Sequence, residues 1–309
     1  MFALTEKTAC DILKPKLLKS ETEKIMNEKL TYIKRILSGV FALIITIFTF
    51  ITQNIDVIKD SQRCEIAKTN IVGIDAYFHS QGMATDGETF FFSSKTTLIQ
   101  TSDDYKTIIN ANYSAIPEEL SKNYSIKHIG GISYYNGYIY AGLEDSKQWH
   151  HPIIGVFDAK TLELVKYYHM DPQVLKKGVP WVCVEPEIGL LYCANHYNDT
   201  TKLLIYDAEN DMSPVGEIVL DKSVSAIQGA EFFGGYLYAA TADDTQAIYK
   251  INPSTGEVKK LLDRNLVKPG EGEGMTIIVR DGKPVLLAMD MGTLFVNAFI
   301  REYELNTQA

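Results

Sequence analysis

The sequence predicts an all-β fold of repeated four-stranded units behind a single membrane-spanning helix. Three observations carry the prediction. One phrase recurs five times at intervals of 45–50 residues, a second hairpin follows three of its copies, and an uncharged run of twenty residues lies near the N-terminus. Composition agrees with strands rather than a helical bundle. Of 309 residues 46% are apolar, enough for a sizeable core, and eighteen Tyr and thirteen Phe stand against two Trp.

The phrase opens on a small or polar residue, runs through an apolar stretch, turns, and leaves through a second apolar stretch into polar or acidic residues. Its copies are QGMATDGETFFFSS from Gln81, GGISYYNGYIYAGLED from Gly130, PWVCVEPEIGLLYCANH from Pro180, QGAEFFGGYLYAATADD from Gln228 and EGMTIIVRDGKPVLLAMD from Glu273. Each reads as two antiparallel strands around a tight turn. The second hairpin is IIGVFDAKTLELVKYY, then LLIYDAENDMSPVGEIVL, then AIYKINPSTGEVKKLL, with Asp-Ala or Asn-Pro marking its turns. Four-stranded units repeating at this spacing predict a β-propeller.

Residues 66–309 number 244, and a mean interval of 48 divides them into five blades; six, with a degenerate blade in 98–127, is the alternative. The last copy leaves room for only three strands. The segment IAKTNIVGIDAY, residues 66–77, is therefore expected to supply the outer strand of the last blade. Such a closure removes the open sheet edge that invites aggregation.

The uncharged run is ILSGVFALIITIFTFITQNI, residues 36–55. A helix of that length spans about 30 Å, the hydrocarbon thickness of a bilayer. Thirty-five residues precede it and no small-x-small cleavage site follows, which favours an uncleaved signal-anchor over a signal peptide. Lys29, Lys34 and Arg35 lie just before the run, and Asp56, Lys59 and Asp60 follow it, so the positive-inside rule keeps the N-terminus cytoplasmic. The expected organisation is a cytoplasmic segment 1–35 with a short amphipathic helix behind the capping box Ser20–Glu23, a membrane helix 36–55, a linker 56–65 and an extracytoplasmic propeller 66–309.

Charge is uneven. Residues 1–35 hold eight Lys/Arg and five Asp/Glu, a net +3, whereas residues 66–309 hold 20 and 31, a net −11. The large part lacks the basic patch that nucleic-acid binding needs, and that class is excluded. Cys10 is expected reduced in the cytoplasm and Cys64 stands beside the membrane. Cys183 and Cys193 flank the turn in CVEPEIGLLYC; a disulfide between them is one expectation and two core thiols the other. Three N-glycosylation triplets begin at Asn112, Asn123 and Asn198.

In a propeller the loops into the inner strands and the loops after their partners open on one common rim. Gln81, His128, Gln228 and Glu273 lie at the entries; Glu144, Asp145, Asn195, His196, Asp243 and Asp290 lie at the exits. The longest loops, 110–128, 169–180 and 263–273, open there too, and long loops on a rigid scaffold are where binding concentrates. An Asp after a strand is ordinarily a turn residue, so the candidate site rests on convergence rather than on any single residue. A ring of carboxylates and amides suits a divalent cation taking oxygen ligands, calcium above all. Zinc spacings, a G-x-S-x-G elbow, a phosphate loop and an EF-hand loop are absent. The adjacent imidazoles of WHHP, residues 149–152, point apart on an extended chain.

The polar-residue-plus-Gly openings resemble the gluconolactonase-like and NHL-repeat class of propellers, with Glu273-Gly274-Met275 the copy that matches its acidic form. A five-bladed, exported arrangement is also similar to olfactomedin-like domains, whose hub holds calcium. The first resemblance implies a catalytic divalent metal held by blade-opening residues. Glu273, Asn195 and Asp290 would be its ligands here, with His196 or Glu144 as base, in a metal-dependent ester or lactone hydrolase. The reading preferred from the sequence is an anchored extracytoplasmic binding module for a protein, glycan or small ligand, with that hydrolase as the alternative.

Overall fold

The structure, a computed structural model, describes residues 26–27, 29–45, 47, 77–145, 149–196, 199–264, 266, 270–292 and 297–305, and residues 66–71 through their backbone. It divides into two compact units, residues 1–51 and 52–309.

The second unit is a five-bladed propeller of four-stranded antiparallel sheets. Blade one holds β2 (Met83–Thr85), β3 (Phe90–Ser93), β4 (Leu98–Thr101) and β5 (Ile108–Asn112). A short helix, α2 (Glu118–Tyr124), leads to blade two, with β6 (His128–Tyr135), β7 (Tyr138–Glu144), β8 (Ile153–Asp158) and β9 (Leu164–His169). Blade three holds β10 (Val182–Val184), β11 (Leu190–Cys193), β12 (Thr200–Asp207) and β13 (Ser213–Val224). Blade four holds β14 (Ile227–Phe233), β15 (Tyr236–Thr241), β16 (Ala247–Ile251) and β17 (Val258–Asp263).

Blade five is built from both ends of the unit. Its inner strands are β18 (Glu271–Arg280), β19 (Lys283–Met291) and β20 (Ala298–Glu304), and its outer strand is β1 (Ile66–Ile71), antiparallel to β20 with Asn70 opposite Ile300. The expected closure is the one observed. The six-blade alternative is not, because residues 98–127 hold β4, β5 and α2 rather than a further blade.

Each strand end has a local cause. The turn between β6 and β7 is Asn136-Gly137, both at positive φ (47° and 83°), the pairing that a two-residue hairpin of right-handed twist demands. Interior strands bury both faces and so lose polar alternation. In β3, Phe91 faces blade two with Ala84 and Leu98, while Phe90 and Phe92 face blade five with Leu287 and Met289.

At the hub the small residues are a packing requirement. Gly131 N donates to Pro180 O at 2.8 Å, and a Cβ on Gly131 would lie 2.5 Å from the carbonyl of Gln228, in a blade across the axis. Gly274 N likewise donates to Gln81 O at 2.8 Å. Backbones of different blades approach closely at this tier, which leaves no room there for side chains.

Of the two expectations for Cys183 and Cys193, the disulfide is not the one observed. Cys183 pairs across the ladder with Tyr192, and Cys193 with Val182, an offset of one residue. Side chains alternate between faces, so one sulfur packs towards blade four and the other towards blade two. Both are free, buried thiols, and burial pushes each thiol up. Cys10 and Cys64 lie outside the described residues.

In the first unit residues 29–45 form helix α1, with Leu37, Phe41, Leu43 and Ile44 exposed. No helix among the described residues is long and apolar enough to cross a membrane, so the expected span is not supported there. Residues 46 and 48–55 of it lie outside the described residues, as do 1–25 and the linker 56–65.

Candidate functional site

The rim where the inner strands begin is built by register. His128 opens β6 directly opposite Glu144, the last residue of β7, and Lys127 N donates to Glu144 O at 3.0 Å. Their side chains fall on one face. His128 Nδ1 meets Glu144 Oε2 at 3.0 Å, and His128 Nε2 meets Gln81 Oε1, from the neighbouring blade, at 2.8 Å. Gln81 Nε2 donates to Ser80 O at 2.5 Å, which turns the amide oxygen towards the imidazole. The ring thus faces an oxygen at each nitrogen. The other carboxylate oxygen, Glu144 Oε1, is buried and has no hydrogen-bond partner among the described residues.

That oxygen lies beside a tryptophan. Asp145, 2% exposed, accepts the backbone N–H groups of Trp149, His150 and His151 at 2.5, 2.7 and 3.2 Å. The loop so pinned holds Trp149 at φ 54°, uncommon for a bulky residue. Gly178, at φ 74°, faces both groups: a Cβ there would sit 2.8 Å from Trp149 Cδ1 and 3.1 Å from Glu144 Oε1. Lys177 Nζ lies 4.3 Å over the indole, and the His196 ring lies near-parallel to it, 6.4 Å away. Asn195 secures this side, accepting Lys177 N at 2.8 Å and donating to Val174 O at 3.0 Å.

The predicted site residues therefore divide. Gln81, His128, Glu144, Asp145, Asn195 and His196 gather around Trp149. Gln228, Asp243, Glu273 and Asp290 belong to blades four and five. Gln228 Nε2 reaches Glu271 Oε1 at 3.4 Å. Asp243 is a turn residue, accepting Thr245 N, Ala247 N and the Tyr249 hydroxyl. Asp290 is 1% exposed and held by two guanidinium groups, Arg264 at one oxygen and Arg301 at the other, the latter at 2.5 Å. Glu273 is buried, and burial, reinforced by Glu271 and Asp290 against the pull of Arg264, pushes its carboxyl well up.

The implied metal set does not fit these surroundings. Asp290 has both oxygens on arginines, and Asn195 spends its amide on backbone. Among the described residues no group of three or more His, Cys, Asp or Glu could hold a metal ion. His150 and His151 stand edge to face, interplanar 88°. The residues of this cluster that the sequence did not single out are Trp149, Lys177 and Gly178. The available signal was one of only two tryptophans set in a polar loop, and a Lys-Gly pair closing the long loop 169–180.

With the geometry in place, comparisons locate the chain among known proteins. A protein-family profile described as a repeat of unknown function (DUF6923) matches residues 135–276. The match covers β7 to the start of β18 and so falls within the repeats. Among solved structures, the glutaminyl cyclase of Myxococcus xanthus is 15% identical with a TM-score of 0.56, over 80% of this chain and 99% of that one. The hydrazine synthase of Kuenenia stuttgartiensis is 12% identical with a TM-score of 0.42, over 70% of this chain and 56% of that one. BamB from Moraxella catarrhalis is 11% identical with a TM-score of 0.39, over 74% and 60%. At 15% identity the likeness to the glutaminyl cyclase is one of fold. No curated protein matches the sequence.

Proposed function

We propose that the chain is a membrane-held, extracytoplasmic propeller that binds a ligand on the Trp149 side of its rim. The observation that carries this reading is the buried, partnerless Glu144 Oε1 beside Trp149, in a site assembled from three blades. A buried acceptor without a donor costs about 1–3 kcal/mol, and a ligand supplying that donor recovers it. A strained aromatic held over a rigid scaffold is a further mark of a binding site. Anchoring is supported by the uncharged run 36–55, by its basic flank, and by the exposed apolar side chains of α1. The metal-dependent hydrolase reading has no observation of this kind behind it.

The test is a thermal-shift screen of the full chain in detergent micelles against amino acids, sugars, short peptides and calcium. A ligand that binds the folded state raises the midpoint by mass action. The expected result is a rise with one class that is lost in Trp149→Ala while the variant keeps its own melting midpoint. A rise that survives Trp149→Ala, or none with any class, overturns the reading. Resistance of the chain to alkaline extraction from membranes, with release by detergent, tests the anchor separately.

A further inference from the structure

We propose that the Trp149 site takes a small zwitterion, its ammonium on Glu144 Oε1, its carboxylate on Lys177 and its apolar part against the indole. The inference rests on the rim reading above and names the chemistry of the ligand. A carboxylate oxygen with no donor and an ammonium with no ion pair, among the described residues, border one aromatic ring. Glu144 Oε1 is buried with no donor, while its other oxygen is occupied by His128. Lys177 makes no ion pair among the described residues, and its ammonium lies over the Trp149 face. Among the described residues Glu144 pairs with His128 and no ion pair joins it to Lys177.

Both anchors are positioned rather than loose. Glu144 is fixed by His128 and, through it, by Gln81. Lys177 is fixed through its backbone, its N–H on Asn195 Oδ1 and its carbonyl accepting His196 N at 3.3 Å. A neutral ligand would leave both charges unmatched, and an ion of either sign would satisfy one and leave the other. A molecule carrying an ammonium and a carboxylate a few bonds apart satisfies both, and α-amino acids are the simplest of that class.

The experiment uses the full chain in detergent micelles and reads tryptophan fluorescence, with Trp149→Phe assigning the signal, since the second tryptophan, Trp181, is fully buried. The probes are phenylalanine, phenethylamine and 3-phenylpropionate, which share a ring and differ only in which charges they carry. Phenylalanine is expected to bind about tenfold or more tightly than either single-charge analogue, the worth of one charged hydrogen bond. Lys177→Met is expected to erase its advantage over phenethylamine, and Glu144→Gln its advantage over 3-phenylpropionate. Equal binding of either analogue overturns the proposal. So does silence from all three probes, and the screen above then separates the cases. A Trp149-dependent ligand of another class leaves the rim reading standing without the zwitterion, whereas none removes both.

Discussion

His128–Glu144 in blade two and Gly272–Asp290 in blade five occupy the same place in their repeats. Each is a register pair joining the opening of an inner strand to the end of its partner. Their outcomes are opposite. Glu144 keeps one oxygen without a donor beside a tryptophan on the rim, whereas Asp290 has both oxygens locked by buried arginines. Arg264 is further tied to the carbonyls of Thr241 and Gln246, at 2.8 and 2.7 Å, so it bridges blades four and five. A carboxylate at the end of the second strand is thus a repeated position with no repeated role. Its use is decided by what stands against it: an imidazole from its own blade for Glu144, and for Asp290 one guanidinium from its own blade and one from the end of blade four.

Substitutions at the two sites sharpen that contrast. The largest effect is expected at Asp290→Ala, which strands two buried guanidinium groups; breaking a buried pair of this kind costs about 3–5 kcal/mol. Chemical denaturation of the full chain measures it, and a loss below about 1 kcal/mol would mean that the arginines find other partners. Asp145→Ala comes next. It leaves three backbone N–H groups without their acceptor, expected to cost about 1–3 kcal/mol and to shift the emission of Trp149 as the loop relaxes. An unchanged spectrum would show that Asp145 does not set the Trp149 conformation.

A smaller effect is expected at Glu231, which is part-buried between blades four and five. Burial pushes its carboxyl up to about 7, against the pull of the Thr276 hydroxyl and of Phe232 N. A raised carboxyl favours the folded state fully at pH below its unfolded value and loses that contribution as pH rises through about 7. Glu231→Gln is therefore expected to flatten the dependence of the midpoint on pH between 5 and 8, with a gain on the order of 1–2 kcal/mol at pH 8. Parallel pH profiles for variant and wild type would contradict this. The smallest stability change belongs to Glu144→Gln, within about 1 kcal/mol, because the amide oxygen can still face His128 and the amide nitrogen replaces the oxygen that has no donor among the described residues. A larger loss would make Glu144 a structural residue like Asp290.

The opposite face of the ring explains why acids were hard to sort by type. Asp104, Asp158, Asp207 and Asn252 sit at the outer hairpins and accept backbone N–H groups two and three residues ahead. They are turn-formers, and hydrogen bonds from Thr107 and Lys106 hold Asp104 well below the usual carboxylate range. Local signals of this sort are readable in sequence, since donor and acceptor lie within three residues of one another. Asp243 followed the same logic, despite its place among the site candidates.

What the sequence by itself determined is the repeat: four strands per unit, five units, a small residue at each inner start, and a closing strand from the N-terminal side. Those features depend on turn chemistry and on periodic burial, both short-range and repeated. Only the tertiary structure decided the fate of each polar end. Glu144, Asp290 and Trp149 each meet one partner from their own blade, but Gln81 on His128, Arg264 on Asp290 and Lys177 on Trp149 come from a neighbouring one, 47 residues away in the case of Gln81 and His128. It also decided the cysteines, because a register offset of one residue sends Cys183 and Cys193 to opposite faces of the blade. Side-chain chemistry at a repeated position is set by which neighbour the ring closure brings against it, and that neighbour is fixed in space rather than along the chain.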